Sequence, residues 1–189
     1  MPAQSILHVL ILNHHVPPES DVIKVLSEAT GQDLVMLLTY FYTGARRGEI
    51  FRLVWGDVCF DTRRIRLVDH KGRGGAKRVR WAPMHEELAK ALSWWRDERP
   101  CVVDNVFMQM HCDGALDEPF QQRNKMMPRL CGVKPFGFHA LRHLHASLLY
   151  NEGAELSVVQ RQLRHTNPNT TARYLRSLGY EEEHSQKVL

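Results

Sequence analysis

The sequence predicts a mainly α-helical domain that contains one small antiparallel sheet of about three strands. Residues 64–68 and 77–81 alternate basic and apolar side chains, which is typical of half-exposed strands. A glycine-rich turn at 72–75 separates them, and a first strand-like segment at 58–60 precedes a tight turn at 61–62. Elsewhere apolar residues recur at helical spacing. We expect the arginine and lysine side chains to lie on the open face of the sheet.

Helices are predicted on both sides of the sheet. Before it they cover residues 20–30, with Ser20 or Asp21 as N-cap, then 32–42, ended by Thr43-Gly44, and 46–53. After it they cover 86–99 and 119–130, with a short strand near Val106 between them. A strong helix follows at 138–151, with Gly153 in the left-handed position at its end. Shorter helices are predicted at 156–163, 170–175 and 181–188.

Length and composition indicate one folded domain. The 189 residues are 43% apolar and 24% charged, which is ordinary for a globular protein with a sizeable core. Residues 1–18 resemble a linker remnant or an artificial segment that ends at two prolines, and residues 19–189 form the domain. The four cysteines form no C-x-x-C pair and predict a reduced, intracellular protein. No apolar run is long enough to span a membrane, and the N-terminus lacks the basic region of a signal peptide.

Charge is distributed unevenly along the chain, although the formal net charge is only +4. Eight basic residues lie between positions 63 and 80 against a single acidic one, Asp69, whereas residues 181–183 are all glutamate. A basic segment set apart from an acidic tail is what a polyanion-binding face requires. A solvated hairpin without a partner is the alternative explanation.

The segment from residue 138 to residue 174 carries the residue types needed to hold and attack a phosphodiester. His139, Arg142 and His143 lie within two predicted helical turns, and His165 and Tyr174 follow. An arginine presents a planar fork of donors that fits two phosphate oxygens. A tyrosine hydroxyl becomes a nucleophile when its proton is removed, and a histidine can carry that proton near neutral pH.

These residues stand in a pattern that resembles the tyrosine recombinase, or phage integrase, family. The pattern is H-x-x-R, a leucine-rich helix ending in glycine, L-x-H, and a tyrosine nine positions after His165. A second match, T-G-x-R followed by an acidic residue and L-x-W-x-D, runs from residue 43 to 58, and Lys71-Gly72 and residues 82–84 match the family's hairpin. The resemblance covers about residues 19–186. The family has glycine where this chain has Arg164, which could displace His165 or contact a DNA phosphate.

The resemblance implies a role for each matching residue in DNA cleavage. Tyr174 corresponds to the nucleophile that becomes a 3′-phosphotyrosine. Arg46 and Arg142 correspond to the clamp on the non-bridging phosphate oxygens, where negative charge develops. Lys71 corresponds to the acid that protonates the 5′-oxygen leaving group. Lys77 is the competing candidate for that acid, because the glycine-rich insertion blurs the alignment.

The remaining roles are also implied by the resemblance. His139 assists proton transfer at the tyrosine, His165 donates to a non-bridging oxygen, and Glu49 orients an arginine or histidine of the site. Further DNA contacts are predicted for Arg73, Lys77, Arg78 and Arg164. The chemistry requires no metal ion and no nucleotide cofactor, because the phosphotyrosine bond retains the energy for rejoining.

Three alternatives remain open at this point. His139 and His143 have the i, i+4 spacing of metal ligands on one helix face, although Ala140 stands where H-E-x-x-H has its glutamate. A type IB topoisomerase uses the same tyrosine and arginine chemistry without a defined core site. A DNA-binding module that has lost catalysis is the third alternative, and Arg164 gives it some weight.

The preferred hypothesis is the catalytic domain, residues 19–189, of a site-specific recombinase or integrase of a phage or mobile element. Its expected partner is double-stranded DNA, on which strand exchange requires a tetramer, whereas this chain alone is expected to be a monomer. Family members usually carry a separate N-terminal DNA-clamping domain, so we expect this chain to be part of a longer protein. The expected location is the bacterial cytoplasm, where the enzyme acts on the chromosome.

Overall fold

The computed structural model describes residues 16–69, 78–99, 104–107 and 131–164 and the single positions 129, 169 and 171. Within these residues the helices are α1 (Glu19–Glu28), α2 (Gly31–Thr43), α3 (Arg47–Ile50), α4 (Glu86–Glu98), α5 (Phe138–Asn151) and α6 (Leu156–Leu163). The strands are β1 (Val58–Cys59), β2 (Arg64–Asp69) and β3 (Arg78–Pro83). The predicted fold class, mainly helical with a small three-stranded antiparallel sheet, is confirmed. No described helix has the length and apolar character that crossing a bilayer requires.

Helix ends follow local chain chemistry. The first helix begins one residue earlier than predicted and Pro18, not Ser20 or Asp21, is its N-cap, because the Pro18 carbonyl accepts the first main-chain bonds, from the nitrogens of Asp21 and Val22 at 3.0 and 3.3 Å. Gly44 ends α2 with a φ of 54°, and Gly153 follows α5 with a φ of 87°, as predicted. The helix predicted at 46–53 is a single turn, Arg47–Ile50. Near Val106 the chain makes an isolated bridge between Val54 and Asn105 instead of a strand.

The sheet has the strand order β1-β2-β3, with every neighbouring pair antiparallel. Ile65 lies opposite Ala82 and Leu67 opposite Arg80, whereas Arg66 lies opposite Trp81. Residues directly opposite each other share a face, so the arginines of β2 and those of β3 lie on different faces. The prediction of one basic open face is therefore wrong, because the period of two in each strand does not reveal the register between them.

One apolar core joins α1, α2, α4, α5 and the inner face of the sheet. Tyr40 of α2 stacks on Phe138 of α5 with ring centroids 4.1 Å apart, and the indole Nε1 of Trp95 donates to the Val106 carbonyl at 2.8 Å. An aromatic pair of this kind adds about 0.5–1.5 kcal/mol to its area burial. Fully buried members of the core include Val22, Val35, Met36, Ile50, Leu53, Ile65, Leu67, Leu88, Leu92 and Leu141.

A smaller cluster fixes α6 on α5. Ala146 of α5 and Val159 and Leu163 of α6 are all fully buried in it. Leu163 is the last residue of α6, so its burial anchors the C-terminal end of that helix against α5. Burying one leucine side chain contributes about 1.5–3 kcal/mol. The cluster therefore positions the carbonyls that follow, which take part in the site described next.

Contacts within the fold account for the tryptophan and aspartate of the L-x-W-x-D segment. Asp57 is buried and accepts from Arg66 at 2.6 Å and from the main-chain nitrogen of Val54 at 3.3 Å. The guanidinium of Arg99 lies 5.0 Å from the ring centroid of Trp55. These contacts attach the turn after α3 to β2 and to the end of α4. The two ends of the segment that contains Arg46 and Glu49 are thus held in place by Gly44 and by Asp57.

Candidate functional site

The loop that follows α2 is the centre of the candidate site. Gly44 adopts a left-handed backbone, and a Cβ at this position would lie 2.6 Å from Cδ2 of His145 on α5. Only glycine fits both the positive φ and this close approach. The turn directs the Gly44 carbonyl toward two guanidinium groups, those of Arg142 and Arg164. The glycine of the T-G-x-R motif therefore allows α2 and α5 to approach closely, and the motif places Arg46 just beyond the turn.

Arg46 is the N-cap of α3, and its side chain reaches two other parts of the chain. Its Nη1 donates to Asp69 at the end of β2 at 2.8 Å, and its Nη2 donates to the Arg164 carbonyl at 3.2 Å. Glu49 accepts from the Arg46 main-chain nitrogen at 2.6 Å and lies 3.5 Å from its Nη1. The Arg46 side chain is 29% exposed, so a ligand has access to it.

Arg142 occupies the opposite side of the same loop and is buried. It lies in the middle of α5, is 2% exposed, and donates to the carbonyls of Gly44 and Leu163. A buried guanidinium is tolerated only where its donors meet acceptors with good geometry. Arg142 thereby connects the end of α2 to the end of α6, although it lies 98 positions after Gly44 in the sequence.

Arg164 lies beside both of these arginines. It follows α6 in the left-handed region with a φ of 57°, where a family glycine would be free of strain, and its side chain is only 6% exposed. Its Nη2 and Nε bind Glu49 at 2.9 and 3.3 Å, and its Nη1 donates to the Gln162 carbonyl at 2.8 Å. Burial lowers the pKa of this guanidinium, while Glu49 acts in the opposite direction. The predicted DNA contact of Arg164 stays a prediction, and it would require the side chain to leave Glu49.

The histidines of α5 differ in their surroundings. His139 is exposed in the first turn, and its ring meets that of buried His143 edge-on at 4.6 Å. His145 is partly buried, and its Nδ1 lies 2.9 Å from the Phe41 carbonyl. Loss of hydration lowers the pKa of His145 to about 4, and the nearby charges of Arg164 and Arg142 act in the same direction. In the part of the chain that the structure describes, no group of three or more metal-ligating side chains occurs.

The structure brings together only part of the predicted residue set. Arg46, Glu49, Arg142 and Arg164 converge on the Gly44 loop, and His139 lies one turn before Arg142 on α5. Arg78 is exposed at the start of β3, opposite Asp69. Five predicted site residues lie outside the described residues, and their roles stay predictions: Lys71, Arg73, Lys77, His165 and Tyr174.

Two residues of the site were not predicted from the sequence. Asp69 was noted as the single acid in the basic segment, and that isolation was the signal that it pairs with a nearby arginine. His145 gave no such signal, because a histidine on a helix face does not reveal that a glycine from another helix packs against it.

Comparison with solved structures defines the class of fold. The chain has the architecture of a tyrosine recombinase catalytic domain: its structure matches the XerA recombinase with a TM-score of 0.72 over 87% of this chain and 62% of that one, at 23% identity. It also matches the catalytic domain of bacteriophage HP1 integrase, with a TM-score of 0.61 over 85% of this chain and 86% of that one, at 22% identity. At these identities the likeness concerns the fold alone.

Sequence comparison identifies the family. Residues 19–180 match the model of the phage integrase family, and the chain belongs to that family. It is 33% identical over 157 residues to the tyrosine recombinase XerD of Pseudomonas putida, which covers 79% of this chain and 51% of that protein. It is 28% identical over 151 residues to XerC of Staphylococcus haemolyticus, covering 76% and 48%. The chain thus spans about half the length of the curated relatives it matches.

Proposed function

We propose that this chain is the catalytic domain of a site-specific recombinase that cleaves and rejoins DNA through a 3′-phosphotyrosine. The observation that carries the proposal is the Gly44 loop. Arg142 donates to its carbonyl from one side, and Arg46 emerges from it on the other. Two guanidinium groups at one loop can bind the two non-bridging oxygens of a phosphodiester, where charge develops during transfer.

The proposed reaction is an in-line displacement at phosphorus. The Tyr174 oxygen forms the new P–O bond as the bond to the 5′-oxygen breaks, and His139 assists removal of the tyrosine proton. Lys71 supplies a proton to the departing 5′-oxygen, while Arg46, Arg142 and His165 stabilise the non-bridging oxygens. Rejoining is the reverse attack by a 5′-hydroxyl. The phosphotyrosine ester retains the energy of the broken phosphodiester, so rejoining requires no ATP, and the charges of Arg46, Arg142 and Lys71 take the part that a metal ion has in other phosphoryl transfers.

Double-stranded DNA is the proposed substrate, and a tetramer on DNA is the proposed active assembly. Structures with this fold include XerH recombinase bound to its palindromic difH substrate and the Tn1549 transposon integrase in complex with a circular intermediate DNA. Both have the same architecture as this chain, with TM-scores of 0.67. These neighbours support a DNA substrate for this chain, and the transposon integrase together with the HP1 integrase supports an origin in a phage or mobile element.

A covalent-trapping experiment tests the proposal. The chain is incubated with a pool of duplexes that carry a randomised core and a nick close to it, so that cleavage releases a short fragment and traps the protein on DNA. Denaturing electrophoresis isolates the adducts, and sequencing identifies the cores. We expect adducts enriched in one core sequence, formed equally well in excess chelator.

The same experiment distinguishes the alternatives. Tyr174→Phe removes only the attacking hydroxyl, so it should bind DNA and form no adduct. Adducts without core preference would indicate a topoisomerase. DNA binding without any adduct would indicate a module that has lost catalysis. Cleavage that disappears with chelator and returns with zinc would favour a metal site at His139 and His143.

A further inference from the structure

Arg164 replaces a glycine of the family pattern, and its side chain has a defined place in the site. The residue occupies the left-handed backbone region, which costs about 1–2 kcal/mol for a residue with a Cβ. Its guanidinium folds back under the Gly44 loop and donates to the carbonyls of Gly44 and Thr43 at 3.1 and 3.4 Å. The strained backbone is therefore accompanied by a fully engaged side chain.

The main partner of Arg164 is the buried carboxylate of Glu49, whose side chain is 1% exposed. A buried carboxylate requires a close cation, and two are within reach. Arg164 approaches it at 2.9 and 3.3 Å, whereas the Arg46 guanidinium is 3.5 Å away and directed to Asp69 instead. In this chain Glu49 is thus neutralised chiefly by Arg164.

We propose that Arg164 is a positioning residue that keeps Arg46 available to the scissile phosphate. With Arg164 absent, the buried carboxylate would draw the Arg46 guanidinium inward and offset its charge. With Arg164 present, Glu49 retains its bond to the Arg46 main-chain nitrogen, while the Arg46 side chain stays at the accessible edge of the loop. This inference rests on the proposed function, because it assigns Arg46 a phosphate to bind.

The test compares adduct formation by Arg164→Gly with that by the unaltered chain, using the nicked duplex selected above at saturating concentration. We expect a decrease of about 10- to 100-fold, the size found when a residue that orients a metal ligand through a hydrogen bond is removed. A second duplex carries a methylphosphonate at the scissile position, which removes one negative charge. There the charge of Arg46 matters less, so the defect should shrink to about threefold or less.

This second substrate separates positioning from a merely structural role. Loss of structure would lower both rates by the same factor, whereas loss of available charge lowers chiefly the rate on the charged phosphate. Glu49→Gln in the Arg164→Gly background removes the carboxylate that would capture Arg46, so the double variant should recover most of the rate. All rates are measured well below the melting temperature of each variant.

Two further variants complete the test. Arg161→Ala removes an equal charge from the exposed surface of α6 and should leave the rate unchanged. If Arg164→Gly is too unstable to assay, Arg164→Lys retains the charge without the planar fork, and its smaller defect should again vanish on the methylphosphonate.

Equal rates for Arg164→Gly and the unaltered chain, or an equal defect on both substrates, would overturn the inference and leave the proposed function intact. An unaltered chain that forms no adduct on either duplex would overturn both.

Discussion

Arg142 donates to the Gly44 loop and Arg46 directly follows that loop in the chain, yet the surroundings of the two side chains are opposite. Arg142 is buried in α5, and the bonds described for it join the carbonyls that end α2 and α6. Arg46 is partly exposed, and its closest partner is a carboxylate at the edge of the sheet. A buried guanidinium between two helix ends also supports the fold, whereas a partly exposed one beside a loop contributes little to stability. We therefore expect Arg142 to serve both stability and phosphate contact, and Arg46 to serve phosphate contact chiefly.

The largest effect is expected when each of these two arginines is replaced by alanine. Arg142→Ala removes the described donor to the Leu163 carbonyl and leaves the Gly44 carbonyl with Arg164 as its donor at 3.1 Å. An unsatisfied buried acceptor costs about 1–3 kcal/mol, so the chain should lose stability as well as adduct formation. Arg46→Ala removes a partly exposed ion pair worth about 0–1 kcal/mol, so stability should hardly change. Adduct formation should nevertheless fall about 10²–10³-fold, as for the loss of one donor to a developing charge.

Thermal unfolding together with the trapping assay measures both quantities. Equal destabilisation by Arg46→Ala and Arg142→Ala would show that the contrast in burial has no energetic meaning.

The second prediction concerns the glycine that both arginines depend on. In Gly44→Ala the new Cβ would lie on a backbone of positive φ and 2.6 Å from the His145 ring. In Gly31→Ala the φ is nearly the same, but the new Cβ would have no atom within 4 Å. Gly31→Ala should cost about 1–2 kcal/mol, and Gly44→Ala should cost at least 1–3 kcal/mol more, because α2 and α5 must separate. Urea denaturation of the two variants measures the difference, and equal values would contradict the close approach of Gly44 and His145.

The third prediction uses the titration of His145 beside the buried arginines. Its pKa is about 4 in the folded chain and about 6.5 when unfolded, so the unfolded chain binds more protons between these values. Stability should therefore be complete above about pH 6.5 and decrease as the pH falls toward 4, by about 3 kcal/mol in total from this group.

His145→Gln removes that titration, and its unfolding free energy should decline less steeply between pH 6.5 and 4 than that of the unaltered chain. The matched control is His85→Gln, since this histidine is the N-cap of α4 and stacks on Tyr42. If the unfolding free energies of the unaltered chain and of His145→Gln changed with pH in parallel, the burial of His145 as a neutral ring would be contradicted.

The smallest effect is expected for Asp69→Asn. The Arg46 and Asp69 side chains are 29% and 20% exposed, so their ion pair should contribute only about 0–1 kcal/mol at low salt and less at high salt. The melting temperatures of Asp69→Asn and of the unaltered chain should differ by no more than a few degrees, both at about 50 mM salt and at about 500 mM salt. A loss as large as that for Arg142→Ala would place Asp69 among the residues that hold the fold.

Much of the helical framework was predictable because its signals are local. The helices at 138–151 and 156–163 were predicted with the observed bounds, and Gly153 between them has the positive φ that its position indicated. The sheet was predicted as three strands, but not its register, since an alternating pattern gives the faces of one strand and not its alignment with the next. The bounds shifted most at 46–53, where only the turn Arg47–Ile50 is helical.

The site was predictable as a set of residue types but not as a set of contacts. Arg46 and Arg142 were identified from motif spacing, and the structure brings both to the Gly44 loop. The direction of Arg164 was not predictable, because a long guanidinium side chain could reach outward to a phosphate or inward to a carboxylate 115 positions earlier. Contacts between residues so far apart in the sequence produce no periodic pattern from which they could be predicted.

The pairing of Glu49 with Arg164 also bears on the order in which the molecule is made. The two residues are 115 positions apart, so at about 5–20 residues per second a ribosome adds the arginine about 6–23 s after the carboxylate. Arg142, which donates to the Gly44 carbonyl, is likewise added 98 residues after Gly44. Nascent chains that have folded α1 to α4 therefore lack the cations that complete the Gly44 loop. The contacts of the Gly44 loop are therefore complete only after residue 164 has been added to the chain.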